Sequence, residues 1–196
     1  RAFFSMLMMM LVMMMFVLVV VIVVLVLGTL SSYNGLISKE ETVNTAWSNL
    51  QSQYQRRADL IPNLVNTVKG YTSHENETLT KVVEARAKAT SLMVNAEDLT
   101  PERAKQIQEA QSELSNLVGR LLMVQENYPE LKASEQFSEL QAQLEGTENR
   151  INEARQKYID AEQIYNKDVR AFPNVIFAGM FGFEKMEKFE AATGAE

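Results

Sequence analysis

The sequence predicts an all-α protein: an N-terminal transmembrane helix continues into an antiparallel four-helix bundle, and a short hydrophobic C-terminal segment follows. The 22 residues from Met6 to Leu27 carry no charge and no hydrogen-bonding side chain. The polar remainder repeats apolar residues in steps of three and four, which is helical periodicity. We therefore predict a transmembrane helix over residues 1–30, a bundle over 31–172 and a tail over 173–196.

The apolar segment has the length of a membrane span, because 22 helical residues extend about 33 Å. A cleaved signal peptide is the alternative, with Arg1 as a minimal basic region. Signal peptides typically have an apolar stretch of only about 7–15 residues, followed by small residues at the cleavage site. The length therefore favours a retained anchor.

Methionine dominates the first half of this segment, since seven of the chain's eleven methionines lie between Met6 and Met15. Lipid accepts any apolar side chain, so this content needs no special function. Methionine also fills irregular contacts well, which favours packing between copies of the helix. We predict homo-oligomerisation through this helix, with lipid or oligomer contacts at Met6, Met10, Met14, Val17, Val21 and Val24.

The first bundle helix is predicted over about residues 31–70, continuous with the anchor and kinked at Pro62. The apolar pattern keeps its phase through this proline, although proline removes one backbone hydrogen bond. The alternative is a break at Ile61, with Pro62 at the first position of a new helix.

Three further helices are predicted over about residues 73–95, 101–127 and 134–172. Thr72 and Glu75 have the spacing of a capping box, Thr100 precedes Pro101 in the pattern of a helix start, and Ser134 opens the last helix. The apolar stripe of that helix could form a coiled-coil dimer. Amphipathic helices joined by short connections more often bury their stripes on one another in a bundle.

The tail interrupts the periodic pattern with an aromatic, glycine-containing stretch. One interpretation is a hook folded back over the bundle end. The other is a segment that docks on a membrane or a neighbouring subunit, because large exposed apolar patches usually mark an interaction site. The candidate docking residues are Phe172, Phe177, Phe181 and Phe183.

Composition argues against several functions. The formal net charge is −6, and no basic run interleaved with aromatics offers a nucleic-acid surface. Cysteine is absent and His74 is the only histidine, so thiolate sites and multi-histidine metal sites within one chain are excluded. We expect no catalytic residues, no metal and no cofactor.

Polar residues cluster in sequence around Pro62 and the turn that follows it. They form either an internal network that specifies the kink and the helix register, or a docking site for a peptide or protein. The candidates are Arg56, Arg57, Asp59, Pro62, Asn63, His74, Glu75 and Arg86.

The chain resembles the LemA family of bacterial membrane proteins over about residues 33–189. The resemblance is carried by the motifs Ala46-Trp47, Gln55 to Val65, Val68 to Tyr71, His74-Glu75, Glu84 to Arg86, Tyr165-Asn166, Phe172-Pro173 and Phe181 to Phe183. One departure is that Asn174 directly follows Pro173 and precedes the more apolar run Val175 to Phe177. The resemblance implies a single-pass protein of the bacterial inner membrane with a helical bundle and no established enzymatic activity.

Together these observations predict a membrane-anchored, self-associating scaffold. Its expected partners are the lipid bilayer, further copies of the chain and an unidentified protein. The alternative function is an adaptor that docks a partner membrane protein or peptide through the bundle end or the aromatic tail.

Overall fold

The computed structural model describes residues 2–186, and the chain within that range is helical. Residues 2–186 form six α-helices: α1 (Ala2–Tyr71), α2 (Asn76–Ser91), α3 (Pro101–Met123), α4 (Pro129–Lys132), α5 (Glu135–Arg170) and α6 (Asn174–Phe181). Two 3₁₀ helices cover Ala96–Asp98 and Val124–Asn127. No β-strand occurs in residues 2–186, so the all-α prediction is confirmed. The last residues of the predicted tail, 187–196, lie outside the described range.

Helix α1 is a single helix of 70 residues that begins in the apolar segment and continues past Pro62. The predicted continuity between anchor and first bundle helix is confirmed. The alternative break at Ile61 is wrong, because Pro62 lies inside the helix. Its missing hydrogen bond is replaced by another residue, as described below.

The predicted capping box at Thr72 and Glu75 is wrong. Helix α2 begins at Asn76, its N-cap residue is Glu75, and the Glu75 side chain forms no capping hydrogen bond. Helix α1 extends to Tyr71, so Thr72 belongs to the connecting turn, and its Oγ1 forms no hydrogen bond within the described residues. Helix α2 also ends at Ser91 rather than near residue 95.

The start of α3 follows the sequence prediction. The Thr100 side chain accepts a hydrogen bond from the Arg103 amide at 3.2 Å, and Pro101 occupies the first turn. Ser134 similarly accepts a hydrogen bond from the Phe137 amide at 3.3 Å, at the start of α5. These side chains satisfy backbone amides that have no partner within the helix.

The tail contains a helix that the periodicity did not predict, because α6 is apolar around most of its circumference. Gly182 ends it with φ 75°, a left-handed conformation that glycine adopts without a steric cost. The Phe183 amide then donates to the Ala178 carbonyl at 3.0 Å. This hydrogen bond and the glycine conformation end α6, which begins directly after Pro173.

The described chain divides into two compact units. Unit 1 consists of residues 2–41 and 164–185, and unit 2 consists of residues 42–163 with Met186. The core of unit 2 includes Ile61, Leu64, Val68, Leu79, Val82, Ala85, Ala89, Leu114, Leu121, Phe137 and Leu144. Burying one large apolar side chain stabilises a fold by about 1.5–3 kcal/mol, so these stripes account for the association of the helices. The antiparallel four-helix arrangement stays a prediction.

Candidate functional site

Arg57 is the most deeply buried charged residue of unit 2, with 1% of its surface exposed. Its Nη1 lies 2.8 Å from Glu148 Oε2, which forms an ion pair. Its Nη2 donates to the Gln111 carbonyl at 3.0 Å and also to Gln111 Oε1. The guanidinium therefore connects α1 to α3 and α5 in the interior.

Neighbouring side chains complete this arginine cluster, which we define as Tyr54, Arg57, Gln111, Ser115 and Glu148. Ser115 Oγ donates to Glu148 Oε1 at 3.0 Å, and the Arg57 guanidinium carbon lies 5.7 Å from the centre of the Tyr54 ring. Within the described residues, the Tyr54 hydroxyl and Arg57 Nε have no hydrogen-bond partner. A buried charge is costly unless it is paired. The fold therefore favours the register of α1 against α5 that places Glu148 beside Arg57.

Arg86 has a distinct structural role beside the proline. Pro62 has no N–H with which to donate to the carbonyl four residues earlier, which is that of Ala58. Arg86 Nε donates to this oxygen at 2.7 Å. Arg86 of α2 thus supplies the hydrogen bond that Pro62 removes from α1.

The structure does not join the eight polar candidates into one network. No side-chain hydrogen bond or ion pair within residues 2–186 links any two of them. Asp59 accepts from Gln55 Nε2 at 2.8 Å on the surface. The exposed candidates are Arg56, Asp59, Pro62, Asn63 and His74, whereas Glu75 and Arg86 are half-buried. Their docking role stays a prediction.

Sequence reasoning missed Gln111, Ser115 and Glu148, the partners of Arg57 in the cluster. Gln111 is 54 residues from Arg57 and Glu148 is 91 residues away, so no local spacing relates them. One signal was present: Gln111 occupies a position in the buried apolar stripe of α3. A polar residue at a core position requires a buried partner.

A second set of polar contacts lies just after the end of α2, at the Val94 carbonyl. Trp47 Nε1 donates to the Val94 carbonyl at 3.0 Å, and Gln51 Nε2 donates to the same oxygen. The Trp47 ring also meets the Tyr158 ring edge-on, with centroids 5.5 Å apart. Burial, followed by the charge of Glu162, raises the pKa of the Tyr158 hydroxyl. These bonds hold the chain after α2 against α1.

Two of the surface depressions in the described part of unit 2 have known lining residues. The larger, about 790 Å³, is an open groove between α2 and α3 lined by Lys81, Glu84, Lys88, Gln108, Glu109, Ser112, Glu113, Asn116 and Arg120, among others. The smaller, about 330 Å³, includes Gln51, Val94 and Asp98. Both are lined mainly by polar or charged residues of mixed type. Residues 2–186 contain no group of three or more acidic or histidine side chains placed to hold a metal ion.

In unit 1, the aromatic tail contacts the helix that contains the apolar segment. The Tyr33 ring lies 5.0 Å from the Phe181 ring and 5.8 Å from the Phe183 ring, centroid to centroid and edge-on. Of the four predicted docking residues, Phe172 is 81% exposed and Phe181 45% exposed, whereas Phe177 and Phe183 are half-buried.

Polar residues of unit 1 lie on α1 and the C-terminal part of α5. Lys39 Nζ forms an ion pair with Asp168. Burial and the charges of Glu40 and Glu184 raise the pKa of Tyr165 to about 12. The Tyr165 hydroxyl of unit 1 therefore stays neutral at pH values at which an ordinary tyrosine is ionised.

The apolar segment of α1 is uncovered along its whole length. Large apolar side chains from Phe3 to Leu27 are 44–74% exposed. They include the predicted contacts Met6, Met10, Met14, Val17, Val21 and Val24. The helix is long and apolar enough to cross a membrane, and none of its most apolar window is buried.

These features define a class of helical proteins, with one candidate membrane span in residues 2–186. A family model described as the LemA family matches residues 46–196, which is most of the chain. The chain therefore belongs to the LemA family, and the resemblance drawn from its motifs is confirmed.

Two relatives illustrate the range of this similarity. Magnetosome protein MamQ 2 of Paramagnetospirillum magneticum is 26% identical over 179 residues, which cover 82% of this chain and 65% of that protein. Protein LemA of Metamycoplasma hominis is 24% identical over 139 residues, which cover 71% of this chain and 60% of that protein. The chain thus spans slightly less than two thirds of the length of these relatives.

Proposed function

We propose that this protein is a membrane-anchored structural protein, without catalytic activity, whose apolar segment crosses the inner membrane of a bacterium. The observation that carries the proposal is the 44–74% exposure of the large apolar side chains from Phe3 to Leu27. So large an apolar surface is not left in water. At about 33 Å, the segment from Met6 to Leu27 matches a hydrocarbon core of about 30 Å.

Self-association through the anchor is the second part of the proposal. The residues Met6, Met10, Met14, Val17, Val21 and Val24 follow one another in steps of three and four, which places them along one side of α1. Flexible methionines suit an interface between copies of the same helix.

Deletion of residues 1–30 tests the anchor. We expect the full chain to sediment with membranes, and the shortened chain to be soluble and to form a monomer or a much smaller assembly by light scattering. An unchanged assembly after the deletion would reject the proposed role of the anchor.

A matched pair of tryptophan variants separates anchoring from self-association. Val21→Trp alters the proposed contact side, whereas Val19→Trp places the same side chain about 160° around the helix. Both chains should remain in the membrane. Only Val21→Trp should lower the assembly mass measured in detergent, and equal masses would reject this interface.

An adaptor that holds a partner membrane protein or a peptide is the second candidate function. The exposed apolar residues of the tail favour it, since Met180 is 70% exposed and Phe172 is 81% exposed. If the protein is only a scaffold, Met180→Asp should either leave the assembly unchanged or lower its mass. If Met180→Asp instead loses one co-purifying membrane protein while the assembly mass stays the same, the adaptor function is supported.

A further inference from the structure

Helix α6 has two different faces although it carries no charged side chain. Phe177 and Ala178 lie on the covered side, with Ala178 only 2% exposed. Val175, Ile176 and Met180 fall within about 140° of arc on the other side, and they are 46%, 54% and 70% exposed. Phe172, just before the helix, adds a side chain that is 81% exposed. The uncovered face is therefore apolar, and only Gly179 lies between its large side chains.

Unit 1 also positions α6 close to one end of the apolar segment. The Phe181 and Phe183 rings contact Tyr33, which is six residues beyond Leu27 in the same helix. Six residues of α-helix rise about 9 Å. The headgroup region on each side of a bilayer is about 5–8 Å thick, so a segment in contact with Tyr33 lies within reach of the membrane surface.

We propose that α6 is an interfacial helix that inserts the side chains of Phe172, Val175, Ile176 and Met180 into the surface of the bilayer crossed by α1. This inference rests on the proposed membrane span. The lipid is favoured over a protein partner because the same unit contains the span, and because residues 171–183 include no charge to select a protein surface. Apolar helices at this depth gain stability by burying one face at the boundary between headgroups and acyl chains.

The absence of cysteine from the sequence allows a direct test in the full chain. Single cysteines replace Ile176 or Met180, and each carries a nitroxide label in a phosphatidylcholine nanodisc. Val19→Cys in the apolar segment, outside the proposed self-association side, is the lipid reference, and Asn149→Cys on an exposed position of α5 is the water reference. Spectral broadening by oxygen, which concentrates in lipid, is compared with broadening by a water-soluble nickel chelate. Circular dichroism checks that each labelled chain is folded.

The proposal expects the labels at positions 176 and 180 to be more accessible to oxygen than to nickel, as at position 19, with the opposite ratio at position 149. Labels at 176 and 180 that behave like position 149 would overturn it. Labels shielded from both reagents would overturn it in favour of a second copy or a protein partner. A water-like ratio at position 19 would overturn the membrane span and this inference together.

Discussion

The two units differ in the exposure of their large apolar side chains. In unit 2, large apolar residues such as Trp47 and Leu64 are fully buried, and the charge of Arg57 is paired internally. In unit 1, the large apolar side chains from Phe3 to Leu27 are exposed, as is the outer face of α6. A chain that buries its apolar groups so completely in one unit would do so in the other if water were its only solvent. The contrast supports the proposal that the apolar segment of unit 1 lies in hydrocarbon rather than in water.

The largest expected effect concerns the arginine cluster of unit 2. Glu148→Leu leaves the buried Arg57 without its carboxylate. Removal of one partner of a fully buried pair costs about 3–5 kcal/mol, and we expect a loss at the lower end of that range because the Glu148 side chain is 35% exposed. The double variant Arg57→Met/Glu148→Leu removes both charges and should recover part of this loss, with the remainder reflecting the donor that the buried Gln111 loses. The measurement is the free energy of unfolding in urea, followed by circular dichroism in detergent.

Glu153→Leu provides the matched control for this experiment. Glu153 lies on the same helix and pairs with Lys157 at 2.8 Å, but both side chains are largely exposed. The change should have little effect on stability. If Glu148→Leu is no more damaging than Glu153→Leu, the buried pair does not maintain the interior of unit 2.

A smaller effect should couple Arg86 to Pro62. Arg86→Met removes the donor to the Ala58 carbonyl, and an unsatisfied buried acceptor costs about 1–3 kcal/mol. In a Pro62→Ala background the amide of residue 62 can donate to that carbonyl, so the same Arg86→Met change should cost less. A double-mutant cycle on the free energy of unfolding measures the difference, and equal losses in both backgrounds would contradict the assigned role.

The predictions that succeeded and failed differ in the range of the interactions behind them. The continuity of α1 and the cap at Thr100 depend on residues within a few positions, so periodicity and capping rules identified them. The Arg57 partners lie 54 and 91 residues away and could not be paired from one sequence. The false capping box at Thr72 shows a local motif overridden by the length of the preceding helix. Helix α6 was missed because its apolar character is nearly uniform and leaves no period to detect.

In unit 1, the contact between Tyr33 and the tail should have a more modest effect. Tyr33→Leu removes two edge-on ring contacts, each worth about 0.5–1.5 kcal/mol beyond burial. A loss of about 1 kcal/mol raises local opening about fivefold, so amide exchange in α6 should accelerate by roughly that factor. Tyr71→Leu changes an exposed tyrosine of unit 2 and should leave exchange in α6 unchanged. Equal exchange in both variants would show that Tyr33 does not hold the tail.

The last prediction concerns the pH dependence of stability that Tyr165 of unit 1 causes, which appears only at alkaline pH. Its pKa is raised to about 12 by burial and by Glu40 and Glu184, whereas an unfolded tyrosine ionises near pH 10. Between about pH 10 and pH 12 the unfolded chain loses this proton and the folded chain retains it, so unfolding becomes more favourable as the pH rises. The contribution to stability is therefore complete below about pH 10 and lost as the pH approaches 12.

Tyr165→Phe isolates this contribution because it removes only the hydroxyl. The free energy of unfolding of the variant should fall less steeply than that of wild type above pH 10. A residual slope is expected in the variant, because burial and Glu162 also raise the pKa of Tyr158. The plateau between pH 7 and pH 9 serves as the internal control, since neither hydroxyl is ionised there. Parallel curves above pH 10 would mean that Tyr165 is hydrated in the folded protein, which would weaken the contrast between a dry interior and an exposed apolar surface within unit 1.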